Sequence, residues 1–321
     1  MKAKGIVEMI KRKENKKFII SSHQNLEGDA IGSQLALAEF LKRFGKQVFL
    51  LAPEKIPEKY TFLPETEKIL YTTKKMDYDV ACVVDCTDID RIGLVKGLLD
   101  FKKPIINIDH HISNTNFGTI NWVEPKLSCT GELIYYLFKR ADAPIDKKAA
   151  LYMYIAMLTD TGSFRYSNTT ANTHKIVAEL IEKGLNPTYI YRKIYEEAHK
   201  GRLTLLASVL STLDMTKDGK VAWIRVTRGM LKKNKTDMEG TEDFVNFPRS
   251  IKGVKVALAF REIDKDTVKV SLRSNEHVDV CKLAKLFGGG GHASASGCTI
   301  KGSMGEIEEA VVLKAKSWVD R

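Results

Sequence analysis

Four short, continuously apolar runs constrain the fold of this 321-residue chain more than any other feature: KFIISSH (17–23), QVFLLAP (47–53), DVACVVDC (79–86) and PIINIDHH (104–111). Between the first two lies AIGSQLALAEFLKRFG (30–45), apolar at helical spacing and ended by Gly45 as a C-cap. Continuous apolar strands separated by helices imply a parallel sheet covered on both faces, because alternation is lost when neither face meets water. SCTGELIYYLFKRAD (128–142), DKKAALYMYIAMLTD (146–160) and TANTHKIVAELIEKG (170–184) read as further helices.

The second half changes character. After a helical stretch, PTYIYRKIYEEAHKGRLTLLASVLSTL (187–213), the strands are expected in antiparallel style. KVAWIRVT (220–227) is one, and VKVALAFREIDKDTVKVSLRS (254–274) reads as a hairpin turning at IDKD. A short helix (278–287), four glycines, the strand ASASGCTI and a helix from about Gly305 complete the chain. The expected organisation is α/β throughout: an N-terminal open parallel sheet flanked by helices (1–186), a helical linker (187–215) and a smaller α/β domain (216–321).

Composition is that of a globular protein, with 44% hydrophobic and 28% charged residues. The net charge of +11 suits an anionic partner, nucleic acid or a phosphorylated small molecule, and suits equally a merely solvated surface. Five cysteines, none in a C-x-x-C pair, read as reduced core residues and point to a cytoplasmic protein. LYMYIAML (151–158) is too short to cross a bilayer and the N-terminus lacks a signal-peptide core, so no membrane is expected.

The ends of the apolar elements carry the chemistry. SSHQNLEGDA (21–30) packs His23, Glu27 and Asp29 into seven residues where the first strand stops. Asp85 ends the third strand; Asp109, His110 and His111 end the fourth; Asp160 ends the helix before TGSF. In an open parallel sheet the strand C-termini line one edge, where ligands bind. A lone Asp after a strand is usually a cap or turn residue. Here acids and imidazoles recur at four separate element ends, which such a reading does not explain. Carboxylates with some imidazole and no thiolate favour manganese or magnesium over structural zinc. Five crowded carboxylates repel one another unless cations intervene, and two divalent ions about 3.5–4 Å apart would make a phosphoryl-transfer site.

These stretches carry a resemblance. SSHQNLEGDAIGSQLAL, VVDCTDIDRIG, NIDHH and LTDTGSFRYSNTT resemble the four signature motifs of the DHH phosphoesterase superfamily. SLRSN followed by FGGGGHASASG resembles its DHH-associated C-terminal domain, so the likeness covers nearly the whole chain. Within the superfamily the chain is similar to two-domain bacterial enzymes that degrade nano-RNA and dephosphorylate pAp. Some relatives cleave pApA, the linear dinucleotide derived from cyclic di-AMP. The resemblance implies two manganese ions, with magnesium and cobalt fitting the same donors. One ion would be held by His23, Glu27 and Asp85 and the other by Asp29, Asp85, His110 and Asp160. His111 would face the phosphate as a catalytic residue, with Asp85 bridging and Asp109 supporting the histidines. Glu27 departs from the family's usual Asp by one methylene. The resemblance also implies a homodimer.

A water shared by two such ions would lose its proton near neutral pH and attack phosphorus in line with the leaving oxygen, which His111 could protonate. In the second domain, Arg273 can grip phosphate with its planar fork and Ser274 offers a hydroxyl. Gly289, Gly290 and Gly291, followed by His292, allow backbone N–H groups to approach a nucleotide closely. Arg91 and Arg165 are weaker candidates and read as members of fold-supporting ion pairs. The expected reaction is hydrolysis of very short oligoribonucleotides or pApA to mononucleotides, with pAp 3′-phosphatase activity beside it. The alternatives are a pyrophosphatase or polyphosphatase of the same superfamily, or a nucleotide-binding module without catalysis.

Overall fold

The structure is a computed structural model that describes residues 2–238, 241–275, 278–291 and 293–319. It divides into two compact units, Met1–Glu197 and Ala198–Arg321.

The first unit runs α1 (Lys2–Lys11), β1 (Lys17–Ser21), α2 (Gly28–Arg43), β2 (Gln47–Leu50), β3 (Val80–Val84), β4 (Ile105–Asp109), β5 (Ile120–Val123), α3 (Thr130–Arg140), α4 (Lys147–Asp160), α5 (Ala171–Ile181) and α6 (Pro187–Tyr191). The five strands form one all-parallel sheet in the order β2-β1-β3-β4-β5. The expected open parallel sheet is therefore present. β5 and α1 were not foreseen, and the segment between β2 and β3 holds 3-10 turns where an α-helix would be the usual crossover.

The continuous hydrophobicity of the strands has a direct cause. Phe18, Ile20, Val80, Cys82, Val84, Ile106 and Ile108 enter a core with α2, α3 and α4. The intervening Ile19, Ala81, Val83 and Ile105 enter a second core on the other face. That face is covered by the 3-10 stretch Ile89–Leu98, through Ile92, Val95 and Leu98, rather than by an α-helix. Residues 28–41 of α2 are all buried. Its close approach to α4 depends on Gly32, where a Cβ would lie 2.4 Å from the carbonyl oxygen of Tyr152.

The second unit contains α7 (Lys200–Leu210), β6 (Asp214–Met215), β7 (Val221–Val226), α8 (Arg228–Asn234), α9 (Asn246–Arg249), β8 (Val256–Asp264), β9 (Thr267–Ser274), α10 (Val280–Lys285), β10 (Gly290–Gly291), β11 (Ala295–Lys301) and α11 (Met304–Val319). The strand order is β10-β11-β9-β8-β7-β6. The β8–β9 hairpin turns where the sequence indicates. The expectation of an antiparallel sheet needs one correction: β7 and β8 run parallel, because α8, α9 and a 3-10 turn between them carry the chain back across the sheet. α10 and α11 cover one face, and α7 with Phe244 and Val245 covers the other.

Candidate metal centre

β1 has β2 on one side and β3 on the other, so the chain reverses its direction of travel across the sheet at β1 and β3. The C-terminal ends of strands flanking such a reversal leave a crevice that no crossover fills. His23 follows β1, Asp85 follows β3 and His110 follows β4, so sheet register alone brings them to this rim. α2 begins in the crevice and supplies Asp29 in its first turn, and Asp160 arrives from the last residue of α4.

The side chains converge. His23 Nε2 lies 3.3 Å from Asp85 Oδ2 and 3.8 Å from Glu27 Oε1. His110 Nε2 lies 3.8 Å from Asp29 Oδ2, 3.8 Å from Asp85 Oδ1 and 3.7 Å from Asp160 Oδ2. Donor atoms of His23, Glu27 and Asp85 fall within 4.8 Å of one another, as do those of Asp29, His110 and Asp160, and those of Asp85, His110 and His111. All six residues named as ligands from the sequence thus meet at one rim. Glu27 differs from the rest: its side chain is 58% exposed, whereas those of Asp29 and Asp85 are 1% exposed.

The imidazoles are turned by their Nδ1 atoms. His23 Nδ1 sits 2.7 Å from the carbonyl oxygen of Gln24 and must donate to it, since a carbonyl only accepts. In the neutral ring Nε2 then turns its lone pair to a carboxylate oxygen, Asp85 Oδ2, that is buried and receives no hydrogen bond. Two acceptors held at that distance need a proton or a cation between them. Charge crowding says the same. Burial, with the charges of Asp85 and Asp160, pushes the Asp29 carboxyl well above the ordinary range. Burial, with Glu27 and Asp85, does the same to Asp160. At Asp85 burial acts upward too, yet His23 and the other two imidazoles hold its pKa below the usual value. A rim that must otherwise retain protons on its acids fits a pair of divalent cations, whose oxygen and imidazole preferences match these donors.

Several residues that hold the rim were not foreseen. The backbone N–H groups of Thr130 and Gly131, at the positive end of α3, donate to Asp29 at 2.7 and 2.9 Å, and Ser33 Oγ donates to it at 2.8 Å. Thr130 Oγ1 donates to Asp85 Oδ1 at 3.1 Å. Asn168 Nδ2 donates to Asp160 Oδ2 at 2.9 Å and to the carbonyl of Ser128 at 2.8 Å. The buried Glu132 accepts from Ser128 N and Oγ and from Asn172 Nδ2, locking the turn that precedes α3. Asp109 accepts from His111 Nδ1 at 2.7 Å and from Asn114 Nδ2 at 2.6 Å. Burial would lower the His111 pKa, but Asp109 outweighs it and raises it.

In the second unit, Arg273 on β9 lies opposite Ala295 on β11, and Gly291 on β10 lies opposite Ser296. Ser274, buried, bonds through N–H to the carbonyl of Ser294. Arg273, Ser274, Gly290 and Gly291 are thus gathered at one end of this sheet. Gly289 and Gly291 tolerate no side chain: a Cβ would lie 2.2 Å from the carbonyl oxygen of Gly297 at the first and 2.6 Å from that of Ala295 at the second. His292 lies outside the described residues.

Arg91 and Arg165 correct an expectation. Among the described residues neither forms an ion pair; Arg91 Nη1 meets Thr87 Oγ1 at 3.4 Å and Arg165 Nε donates to the carbonyl of Gly162 at 2.7 Å.

A parallel sheet with an acid and imidazole rim at its strand ends defines a metal-dependent phosphoesterase architecture, and sequence comparison gives it a family. The profile described as "DHH family, N-terminal domain" matches residues 17–157, and that described as "DHHA1 domain" matches residues 186–320. The chain belongs to the DHH family and is a hydrolase. It is 30% identical over 304 residues to the bifunctional oligoribonuclease and PAP phosphatase NrnA of Thermus thermophilus, covering 94% of this chain and 89% of that one. Its identity to the Bacillus subtilis protein of the same name is 28%, over 88% of this chain and 89% of that one. The solved structure of an exopolyphosphatase-related protein from Bacteroides fragilis superposes with a TM-score of 0.91 at 33% identity, covering 99% of this chain and 97% of that one.

Proposed function

We propose that this protein is a two-metal phosphodiesterase that hydrolyses very short oligoribonucleotides, pApA among them, to mononucleotides and also removes the 3′-phosphate of pAp. The observation that carries the reading is the buried meeting of His23 Nε2 with Asp85 Oδ2, which needs a proton or a cation between them, at the rim shared with Asp29, His110 and Asp160. The names of the Thermus thermophilus and Bacillus subtilis relatives support the substrate class.

In this reading His23, Glu27 and Asp85 hold one ion and Asp29, Asp85, His110 and Asp160 the other, manganese being the expected metal. When bound, the pair would supply Lewis-acid charge and an ionised water at neutral pH. The chain's own groups do the rest. Asp109 fixes the His111 ring through Nδ1 and favours its protonated form, so that His111 can give a proton to the leaving oxygen. Thr130 holds Asp85 in place and Asn168 holds Asp160. Arg273, Ser274 and the glycine run, with His292, would bind the nucleotide.

The test is a product time course on 5′-labelled oligoribonucleotides of two to about ten residues, with pApA, pAp, pyrophosphate and polyphosphate in parallel and manganese present. The proposal expects fastest turnover of the shortest oligonucleotides and release of mononucleotides. Turnover of pyrophosphate or polyphosphate alone would replace it with the inorganic phosphatase reading. Tight nucleotide binding without turnover under any divalent ion would replace it with a binding module.

A further inference from the structure

We propose that Arg91 is a substrate-binding residue whose guanidinium takes a non-bridging oxygen of the phosphoryl group at the metal rim; this rests on the hydrolase reading above.

Arg91 is tied to the rim from two sides. Its carbonyl accepts the N–H of Gln24, the residue after His23, at 2.7 Å. Its side chain leans on Thr87, two residues beyond Asp85, and the carbonyl of Thr87 in turn accepts from Thr115 in the loop that follows His110 and His111. Arg91 is partly buried as a residue, and its guanidinium carries one long hydrogen bond to a neutral hydroxyl. Among the described residues no carboxylate pairs with it, although acids surround it in sequence. Asp90 pairs instead with Lys96, and Asp88 caps the 3-10 stretch by accepting from the N–H of Asp90.

A partly desolvated arginine without a carboxylate is unusual beside five acids. Glu27, Asp29, Asp85, Asp109 and Asp160 bring five negative charges to this rim. Two divalent ions and the protonated His111 of the reading above offset these five, so an arriving phosphate brings negative charge with nothing left at the rim to match it. Arg91 supplies the missing cation, and a guanidinium has five donors in a planar fork suited to phosphate oxygens. Arg165, which likewise forms no ion pair among the described residues, is exposed and commits its Nε to a backbone carbonyl.

The experiment compares wild type, R91Q and R91K, all manganese-loaded. It measures the inhibition or dissociation constants of inorganic phosphate and AMP, steady-state constants on pAp and a short oligoribonucleotide, and manganese affinity by calorimetry. For R91Q the expectation is phosphate and AMP binding weakened by roughly tenfold or more, KM raised in step, and manganese affinity within about twofold of wild type. R91K should fall between, since it restores the charge without the fork. Phosphate affinity unchanged in R91Q would overturn the proposal. So would a parallel loss of manganese affinity, which would make Arg91 a structural residue. Phosphate binding is read apart from turnover, so a wild type inactive on every nucleotide would contradict the proposed substrates while the Arg91 comparison still gave its answer.

Discussion

Asp85 is the residue on which the rim turns. It sits at the end of a strand buried on both faces, with φ at 54°, in the left-handed region that a non-glycine residue occupies at a cost of about 1–3 kcal/mol. The conformation turns the carboxylate between His23 on one side and Thr130 and His110 on the other. D85N keeps the shape and removes the charge that both cation positions share. Calorimetry with manganese should therefore show affinity reduced by more than the roughly 10–100-fold typical of losing an outer supporting group, at both positions together. Loss at one position alone would show that Asp85 does not bridge. The rim acids and histidines were legible in the sequence because each stands where an apolar element ends, against the background of its own strand or helix. Thr130, Glu132, Asn114 and Asn168 were not, because Thr, Asn and Glu near a helix start or in a loop look the same whether they cap, turn the chain or hold a catalytic carboxylate. Arg91 was misread for a related reason: acids next to it in sequence do not face it in space.

At the scale of elements, the helices are held in place as strictly as the side chains. Glu132 ties the turn before α3 to Asn172 on α5, and that turn aims two N–H groups at Asp29. E132Q puts an amide donor against either Ser128 or Asn172, both of which donate to this side chain, so metal affinity should fall by about 10–100-fold with the strand ends intact. An unchanged binding isotherm would remove Glu132 from the supporting network. At the ends of α2 and α4 away from the rim, Glu65 accepts from Lys148 on α4 and pairs with Lys42 on α2. Burial acts upward on Glu65, but the two lysines bring it from 4.5 down to about 2. Because the folded-state value is the lower one, this stabilisation is complete above pH 4.5 and is lost as pH falls towards 2. Acid unfolding followed by circular dichroism should therefore show wild type more stable than E65Q near neutrality, with the two curves converging below about pH 2; parallel curves would refute the pairing. The strands and long helices were legible from their apolar periods. The 3-10 cover over Ile89–Leu98 was not, because Ile92, Val95 and Leu98 recur every three residues, a spacing that an α-helix and a 3-10 helix share. The parallel β7–β8 pairing was hidden because a strand records no direction in its own residues.

For the molecule as a whole, the two units divide the work in the proposed reading: the first gathers cations and the second, with its glycine run at β10, presents backbone to a nucleotide. The two family matches, residues 17–157 and 186–320, fall largely on the first and second unit, the second beginning within the last twelve residues of the first unit. Most of this was visible in the sequence because motifs scattered over the chain share one sheet edge, which fold topology makes a point of convergence. The central claim, that this edge holds two cations around Asp85, is tested most directly by diffraction from manganese-soaked crystals with data collected at the manganese absorption edge. The account predicts two anomalous peaks about 3.5–4 Å apart, one against His23, Glu27 and Asp85 and the other against Asp29, Asp85, His110 and Asp160. An empty rim, or peaks on other residues, would contradict it.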